Sequence, residues 1–372
     1  LMAFASRITH HERSESRIRA GVAMQFGLIY DFRNPARWQR PGAELYAEQI
    51  EQIVYAEQLG FDSVWITEHH FIEDGYTPSV LPIAAAIAAR TNRIRIGTWV
   101  LLLPLHNAIR VAEDAATVDI ISNGRLDLGM GLGYRIEEFE AFGVDRRQRG
   151  RLMDEGVELI RRAWTEERVS FSGRFYNVQE LQVTPKPVQR PYPPIWLGAR
   201  GEVSARRAAR FRAPLLLVGP ADVYEAYAAA LRAEGVDPTG MPVLGSFGCV
   251  VTDDPERTWA EMREHVHYTR TLYGDWYREA GDLPTDAAGI GRGVADPDDL
   301  RAGFRIGTAG EVIAAIEAWR QRVPYTHLIV TANPAGMRTA QTTPWLERFA
   351  REVMPHFNGA SAMRGSLPGA HT

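Results

Sequence analysis

Short apolar segments alternate with amphipathic segments along most of the chain, and this alternation restricts the fold more than any other feature. The short segments are rich in β-branched and aromatic residues, which is typical of strands covered on both faces. The segments between them carry apolar residues at helical spacing, as Tyr46, Ile50 and Ile53 do. Strict alternation predicts parallel strands joined by right-handed crossovers. Because eight such units favour a closed sheet over an open one, we predict an α/β fold of the (β/α)8 TIM-barrel type with insertions.

The same patterns give approximate bounds for the elements. We predict barrel strands at residues 24–30, 63–67, 93–103, 125–131, 195–199, 214–218, 243–252 and 327–331. We predict helices at 44–59, 78–90, 108–121, 137–142, 150–165, from 202 onward, 222–234, 255–277, 311–323 and 344–356. A small hairpin with Gly173 in its turn is predicted at 169–178.

The barrel is predicted to occupy residues 24–357, with a loose segment at each end and one long insertion. Residues 1–23 are rich in Arg, Ser, His and Glu, and we expect a flexible N-terminal arm there. Residues 358–372 are rich in Gly, Ser and Ala and are predicted to form a loose C-terminal tail. The segment 279–304 has no clear period, and so long a loop inside a domain is typical of a lid or of disorder. We therefore predict a lid-like insertion at this segment.

Composition and charge exclude several classes of function. The net charge of −4 gives no electrostatic reason to expect nucleic acid or an anionic membrane surface as a partner. No apolar run approaches the ~20 residues that a membrane-spanning helix needs. Cys249 is the only cysteine, which excludes a disulfide framework and a cysteine metal cluster within this chain. We predict that Cys249 is a core residue of a strand, and we expect a reducing, cytoplasmic location and no metal.

A carboxylate and two adjacent imidazoles follow the second predicted strand. Parallel strands of α/β folds carry their chemistry at their C-terminal ends, which is where Glu68, His69 and His70 fall. Neighbouring side chains of an extended segment point to opposite sides, so the two histidines are expected to face different surroundings. A surface turn that carries three polar residues is an equally acceptable reading of these residues alone.

Two glycine-containing loops follow other predicted strands. Gly131 and Gly133 alternate after the fourth strand, which lets a flat ligand approach the backbone, with Tyr134 as an aromatic edge. A strand crowded by a neighbouring helix explains the same glycines. The pattern does not match the dinucleotide-binding fingerprint, because Tyr134 occupies the place of its third glycine.

The second loop lies between the fifth strand and its helix and contains Ala199, Arg200, Gly201 and Ser204. Free backbone N–H groups and the helix dipole favour an anion such as a phosphate at this position, with Arg200 as a countercharge. Ordinary helix capping explains the same residues. His265 and His267 lie two residues apart on a predicted helix, so they do not share a face, and we predict that both are solvated.

Several of these residues recur together in one family. Thr67 to Phe71, Gly97-Thr98, Ala112 to Asp114, Gly124-Arg125 and Glu138-Phe139 keep their order over residues 24 to about 212. In this combination the chain resembles the bacterial luciferase-like, alkanal monooxygenase-like family of flavin-dependent monooxygenases. The match is looser beyond residue 212, although Gly307-Thr308 is also typical of the family.

The resemblance implies an α/β barrel that binds reduced, non-covalent FMN at its C-terminal face. A separate NAD(P)H-dependent flavin reductase is expected to supply the reduced flavin. Reaction with O₂ is expected to give a flavin C4a-(hydro)peroxide, which oxygenates a small, hydrophobic organic substrate. Such proteins are commonly dimers, so a homodimer is expected.

The resemblance also implies roles for individual residues. It assigns His69 as a catalytic base, and Glu68 is expected to assist if it turns towards an imidazole. Gly201 and Ser204 match positions that hold the FMN phosphate, and the Trp99–Val100 bond matches a frequent non-proline cis peptide beneath the isoalloxazine. The expected cofactor-binding residues are His70, Thr98, Trp99, Gly131, Gly133, Tyr134, Ala199, Arg200, Gly201 and Ser204. The substrate is expected to lie near Phe71, Tyr76, Trp99 and the long insertion.

Two departures from the luciferases leave alternatives open. Gly131 replaces a reactive cysteine, which argues against light emission from long-chain aldehydes, and Leu132 replaces an arginine that reaches the phosphate. Arg200 is expected to compensate. One alternative is an enzyme that transfers hydride with a deazaflavin coenzyme and consumes no O₂. Another is a flavin-binding protein without turnover, against which the intact Glu68-His69-His70 run argues.

Overall fold

The barrel predicted from the alternation is present. The computed structural model describes residues 23–281 and 296–358. In these ranges the strands are β1 (Gln25–Tyr30), β2 (Ser63–Ile66), β3 (Arg95–Thr98), β4 (Leu126–Met130), β5 (Val169–Ser172), β6 (Asn177–Leu181), β7 (Ile195–Ala199), β8 (Leu215–Leu217), β9 (Val243–Ser246), β10 (Cys249–Val251), β11 (Arg305–Gly307) and β12 (His327–Thr331). Strands β1, β2, β3, β4, β7, β8, β9 and β12 close into a barrel in that order, and each neighbouring pair is parallel.

Helices follow the barrel strands and pack around them. They are α1 (Gly42–Leu59), α2 (Val80–Arg90), α3 (Ala108–Ile121), α4 (Ile136–Ala141), α5 (Arg149–Thr165), α6 (Glu202–Arg210), α7 (Ala221–Ala233), α8 (Pro255–Ala280), α9 (Ala309–Arg320), α10 (Thr339–Glu352) and α11 (Met354–Phe357). The predicted last helix, 344–356, therefore begins five residues too late, because Pro344 lies inside α10 instead of before it.

The interior of the barrel is filled by side chains. Trp65, Trp196, Leu216, Leu244 and Ile329 form one buried cluster contributed by different strands. The Trp65 indole N–H donates to Ser63 Oγ at 2.9 Å, so its polar atom is satisfied inside the barrel. A packed interior leaves no channel, and the chemistry of such barrels is confined to the loops at the C-terminal ends of the strands.

The third strand is shorter than predicted. Regular pairing ends at Thr98, the Trp99–Val100 peptide bond is cis as the resemblance implies, and Leu101 rejoins Met130 through an isolated bridge. The side chain of Thr98 hydrogen-bonds the Gly129 carbonyl at 2.6 Å, so it faces the neighbouring strand. A short 3-10 helix, Leu103–Leu105, then occupies the end of the predicted strand.

The single strand predicted at 243–252 is wrong. The Phe247 N–H donates to the Ile329 carbonyl at 3.0 Å, and this is where the chain leaves the barrel. After Gly248, strand β10 pairs in parallel with β11, forming a two-stranded sheet outside the barrel. Cys249 accordingly lies outside the barrel core: it is half-buried and lines the cavity described below. Burial there raises the pKa of its thiol to about 12.

The prediction that both histidines of α8 are solvated is wrong for His265. Its ring stacks on Trp38 with centroids 3.9 Å apart, and its Nδ1 lies 2.7 Å from the Ala335 carbonyl oxygen. The physical reason is that α8 crosses the mouth of the barrel. His265 lies on a face of α8 that packs against Trp38 and Ala335. Tyr273 and Tyr277 of the same helix line the cavity.

The hairpin predicted at 169–178 is present as β5 and β6, with Gly173 in the turn. The predicted arm 1–23 and tail 358–372 lie outside the described residues except for Ala23 and Asn358, as does the part 282–295 of the predicted insertion. Described residues after that gap form a 3-10 helix, Pro297–Gly303. None of the helices in the described ranges is long and apolar enough to cross a membrane.

Candidate active site

A cavity of about 770 Å³ lies at the C-terminal ends of the barrel strands, beneath α8. That volume is within the range of sites that enclose a cofactor or a small ligand. The predicted site residues that line it are Glu68, His69, Trp99, Gly131, Gly133, Tyr134, Ala199, Arg200, Gly201 and Ser204. His70 and Thr98 are not among the lining residues, because His70 faces away from the cavity and Thr98 faces β4.

His69 faces the cavity and is held by the carboxylate of Glu138, which the sequence analysis named as part of a family motif but not as a site residue. Its Nδ1 lies 2.8 Å from Glu138 Oε1, and the exposed fractions of the two side chains are 6% and 0%. Glu138 belongs to α4, the short helix after β4. The same oxygen accepts from the His70 backbone N–H at 3.0 Å and lies 3.4 Å from Arg135 Nη1. Glu138 therefore fixes the imidazole from behind, as carboxylates do for catalytic histidines.

The contacts of Glu138 define the proton position on His69. Burial alone raises the pKa of Glu138, but the hydrogen bond and charge of His69 outweigh burial and leave this pKa below its usual range. An ionised carboxylate only accepts hydrogen bonds, so His69 Nδ1 carries the proton. In a neutral ring the lone pair then lies on Nε2, 3.4 Å from the Tyr134 hydroxyl on the cavity side.

Glu68 pairs with other histidines. Its Oε1 accepts from His70 Nε2 at 2.9 Å and from His106 Nε2 at 2.8 Å. Burial raises the pKa of Glu68, but these two hydrogen bonds outweigh it and lower this pKa overall. Burial lowers the pKa of His106, but the hydrogen bond to Glu68 and the negative charges of Glu68 and Asp114 together outweigh burial and raise this pKa overall. Glu68 thus stabilises a cluster beside the cavity, and the expected help to an inward-facing imidazole comes from Glu138.

The three side chains of Glu68, His70 and His106 also have the composition of a metal site. Their ligand atoms lie within 4.8 Å of one another. Both imidazole Nε2 atoms already contact one carboxylate oxygen, which explains the arrangement by hydrogen bonds alone. On the outer side, the His70 ring packs on Phe142 with centroids 4.9 Å apart.

Two glycines, one near the end of β4 and one directly after it, are required by neighbouring chain segments. A Cβ atom at Gly129 would lie 2.0 Å from the Thr98 carbonyl oxygen, and one at Gly131 would lie 2.2 Å from Val100 Cγ2. The crowding comes from the end of β3 and the residues that follow it, and not from a neighbouring helix, which had been the alternative. Because Gly131 has no side chain, Val100 and Trp99 form the floor of the cavity at this point.

The loop after β7 presents backbone N–H groups to the cavity. The N–H groups of Arg200 and Gly201 lie 3.2 and 3.3 Å from Ser204 Oγ, and that hydroxyl donates to the Gly201 carbonyl at 2.8 Å. A Cβ atom at Gly201 would meet nothing within 4 Å, so the loop borders open space. Gly201 immediately precedes α6, whose N-terminus favours an anion.

Two further cations line the cavity and were missed by the sequence reading. Arg149 begins α5, and Arg270 lies on α8. Arg200, which was predicted, places its guanidinium 4.1 Å from the centroid of the Tyr277 ring. No sequence motif marks Arg149 or Arg270, because each reaches the cavity from a different element.

Aromatic residues enclose His69. Its ring centroid lies 4.9 Å from that of Tyr76 and 5.0 Å from that of Trp276. The hydroxyls of Tyr76 and Tyr273 lie 2.7 Å apart. Phe71, which was expected near the substrate, is instead 53% exposed and packs on Phe142 outside the cavity. Tyr76 and Trp99 do line the cavity, as expected.

With this geometry established, comparison with known proteins identifies the family. The luciferase-like monooxygenase family matches residues 24–326. The chain belongs to the luciferase-like monooxygenases. This membership places the protein among enzymes, since relatives in the family include flavin-dependent monooxygenases and other oxidoreductases.

Two curated relatives show how the family divides. The oxygenase component of a flavin-dependent trigonelline monooxygenase from Acinetobacter baylyi is 27% identical over 92% of this chain and 98% of its own. An F420-dependent glucose-6-phosphate dehydrogenase from Kineococcus radiotolerans is 38% identical over 42% of this chain and 48% of its own. The chain spans about half the length of that dehydrogenase and of some other curated relatives.

Solved structures of luciferase-like proteins agree with the fold. The monooxygenase RslO1 from Streptomyces bottropensis is 27% identical, with a TM-score of 0.76 over 90% of this chain and 100% of that one. A type II Baeyer–Villiger monooxygenase solved with FMN and an F420-dependent secondary alcohol dehydrogenase have the same fold, with TM-scores of 0.75 and 0.69 at 22% and 18% identity. The fold therefore does not distinguish between the two coenzymes.

Proposed function

We propose that this luciferase-like protein is the oxygenase component of a two-component, FMN-dependent monooxygenase. It would use reduced FMN and O₂ to oxygenate a small organic substrate. The observation that carries the proposal is one cavity that combines a carboxylate-held imidazole, His69, with an anion-binding loop at Gly201 and Ser204. A similarity along nearly the whole chain to the trigonelline monooxygenase component supports this class.

The residues present fit a flavin mononucleotide. Backbone N–H groups of Arg200 and Gly201 make only long contacts to Ser204 Oγ, at 3.2 and 3.3 Å, which phosphate oxygens would replace with shorter bonds. Arg149 and Arg200 line the same cavity and would balance the phosphate charge. The flat surface of Trp99 and Val100 would contact one face of the ring system. Reduced flavin supplies the electrons that activate O₂ when it is bound.

The chain's own residues then hold and move protons. His69 Nε2 faces the cavity and accepts or returns a proton, while Glu138 stabilises the positive charge that forms on the ring. The Tyr134 hydroxyl lies 3.4 Å from Nε2 on one side of the imidazole. Helix α8 places Tyr273 and Tyr277 over the cavity and limits the access of water.

Hydride transfer with a deazaflavin coenzyme is the second candidate. The F420-dependent relatives favour it, since they match parts of this chain at up to 38% identity. The same loop would bind the phosphate of either coenzyme. The two functions differ in whether O₂ is consumed.

The remaining expectations are part of the same proposal. A separate NAD(P)H-dependent flavin reductase would supply reduced FMN, as the words "oxygenase component" in the relative's name suggest. We also propose a homodimer and a cytoplasmic location.

Anaerobic titration with reduced FMN and with a reduced deazaflavin coenzyme tests the proposal. We expect tighter binding of reduced FMN, followed by consumption of O₂ and accelerated substrate oxidation when both are admitted. Trigonelline, the substrate in the relative's name, is a reasonable first compound to assay. Preferential binding of the deazaflavin without O₂ uptake would establish the second candidate instead. Tight FMN binding without any substrate-dependent oxidation would favour a protein without turnover.

A further inference from the structure

A carboxylate on the opposite side of the cavity from the anion loop has no role in the chemistry described so far. Asp31 directly follows β1 and lines the cavity. Strands β1 and β7 are four steps apart in either direction around the closed barrel, so they lie across it from each other. The anion loop with Arg200 therefore lies on one side of the cavity and the Asp31 carboxylate on the other.

The nearest cation, Arg33, is shared between Asp31 and a second carboxylate, Asp74. Arg33 Nε donates to Asp74 Oδ2 at 2.6 Å, and the two side chains are 0% and 1% exposed. The Tyr268 hydroxyl donates to the same oxygen at 2.9 Å. Within the described ranges no ion pair involves the Asp31 carboxylate, whose hydrogen bond from the Arg33 backbone N–H is long, at 3.4 Å. One guanidinium thus faces two carboxylates, and the charge of Asp31 is incompletely balanced.

The surroundings of Asp31 indicate which kind of ligand would balance its charge. Burial raises its pKa to about 6, with Arg33 opposing and Asp74 adding to the shift. The rings of Tyr76 and Tyr273 line the cavity beside it, and their hydroxyls lie 2.7 Å apart. The Arg33 guanidinium lies 4.9 Å from the Tyr76 ring centroid, so one face of that ring already contacts a cation of the protein, and Tyr273 is the second ring that a ligand can contact. Aromatic faces and a carboxylate together attract organic cations, whereas an aliphatic pocket does not distinguish charge.

Asp31 is also close to the catalytic histidine. The Thr77 N–H donates to the Asp31 carbonyl at 3.2 Å, and the His69 N–H donates to the Thr77 carbonyl at 3.3 Å. Tyr76 contacts the His69 ring edge-on. A substrate whose reacting carbon lies beside His69 would therefore have its neighbouring atoms within reach of Asp31.

We propose that Asp31, with the rings of Tyr76 and Tyr273, forms a recognition site for a positively charged nitrogen, so that the substrate is a small organic cation with an aromatic or quaternary nitrogen. The proposal rests on the proposed function for the reaction, but cation binding itself is independent of it. It replaces the sequence-based expectation of a purely hydrophobic substrate. The dianionic phosphate at the opposite end would be neutralised by its own arginines, so it would not compete for the cation.

A pair of probes of equal shape tests the proposal without knowledge of the substrate. N-methylpyridinium and toluene differ in charge but hardly in size, and their binding is measured by calorimetry on FMN-loaded and flavin-free protein. We expect the cation to bind the wild type about tenfold more tightly than toluene. Asp31→Asn should remove this preference and leave the affinities for toluene and FMN unchanged. Asp237→Asn, at an exposed carboxylate far from the cavity, is the matched control and should keep the preference.

The pH dependence of the wild type gives a second test that needs no variant. Affinity for N-methylpyridinium should rise from about pH 5 to about pH 7 as the Asp31 carboxyl ionises, while affinity for toluene stays constant. Other charged or titratable groups that line the cavity or pack beside Asp31 are Arg33, Glu68, His69, Asp74, Tyr76, Cys249, Tyr268, Arg270 and Tyr273. A titration that persists in Asp31→Asn therefore assigns the effect to another group.

The outcomes separate this inference from the proposed function. Equal affinities for the two probes, no measurable binding of the cation, or a preference that survives in Asp31→Asn would each overturn the cation site. Failure of FMN to bind would overturn the monooxygenase proposal, while the comparison of the probes on flavin-free protein would still decide the role of Asp31.

Discussion

His69 and His70 are adjacent in the chain, yet each is paired with a different carboxylate in a different environment. His69 faces the cavity, with Glu138 behind it and aromatic rings around it. His70 faces outward, with Glu68 and His106 on one side and Phe142 on the other. Contact with a buried carboxylate is therefore not enough to make an imidazole a candidate base; its other ring nitrogen must also face the cavity. Both rings contact a buried carboxylate, but only the Nε2 of His69 faces the cavity.

Removing His69 should have the largest effect. We expect His69→Ala to slow substrate oxygenation by about a hundredfold or more, since a positioned base contributes on the order of 10²–10⁴. Binding of reduced FMN should change little, and it is measured separately by anaerobic titration. His356→Ala, at an exposed histidine that also contacts a carboxylate, is the control. Unchanged turnover in His69→Ala would remove the base assignment.

Glu138→Gln should have the next largest effect, because it removes the charge that orients His69. We expect a loss of about tenfold or more, but no larger than that in His69→Ala, because the imidazole remains and loses only the carboxylate that orients it. If Glu138 acts through His69, the double variant should be no slower than His69→Ala alone. The rates of all three variants are compared at saturating FMN. Additive losses would show that Glu138 has a separate role.

Tyr134→Phe, which changes the cavity side of His69, should have a smaller effect on turnover. Its hydroxyl lies 3.4 Å from His69 Nε2, which is longer than a strong hydrogen bond. We expect a loss of about threefold in kcat, with little change in flavin affinity, since the ring remains stacked on Tyr277. A loss as large as that of His69→Ala would show that the hydroxyl itself transfers the proton.

Substitutions in the cluster of Glu68, His70 and His106 should affect stability more than turnover. His106→Ala removes one hydrogen bond from the buried Glu68, and we expect a loss of about 1–3 kcal/mol in the free energy of unfolding with less than about threefold change in rate. The raised pKa of His106 stabilises the fold below its ordinary value near 6.5, and this contribution disappears as pH rises through the folded-state pKa. The lowered pKa of Glu68 stabilises the fold above its ordinary value near 4.5, until pH falls through the folded-state pKa.

The destabilisation by His106→Ala should therefore be largest between about pH 4.5 and 6.5 and smaller near pH 9. Denaturant unfolding of the wild type and the variant at these pH values measures it. A pH-independent difference would mean that the contact between Glu68 and His106 has no ionic component.

The sequence predicted the barrel because the strand–helix alternation is a local property repeated through the chain. It also placed most of the cavity residues, since Glu68, Gly131 and Gly201 directly follow strands. It did not select Glu138 as the partner of His69, because α4 brings that side chain back from 69 residues along the chain. The family motif Glu138-Phe139 marks the residue, but nothing in a linear pattern shows that its carboxylate reaches His69.

Other errors have the same origin in tertiary structure. His265 reads as a surface residue on the helical pattern, and only the crossing of α8 over the barrel mouth buries it against Trp38. The break between β9 and β10 depends on β11, a partner more than 50 residues away. Asp31 lies in a loop with no motif, and its charge imbalance arises from the position of Asp74.

A structure of the protein with bound FMN would test the assignment of His69 most directly, because it would show which histidine faces the flavin. We predict the phosphate at the N–H groups of Arg200 and Gly201, the ring system against Trp99 and Val100, and His69 in contact with the flavin or the space beside it. The account is contradicted if the flavin lies against His70 and Phe142, or if its phosphate binds away from the loop after β7.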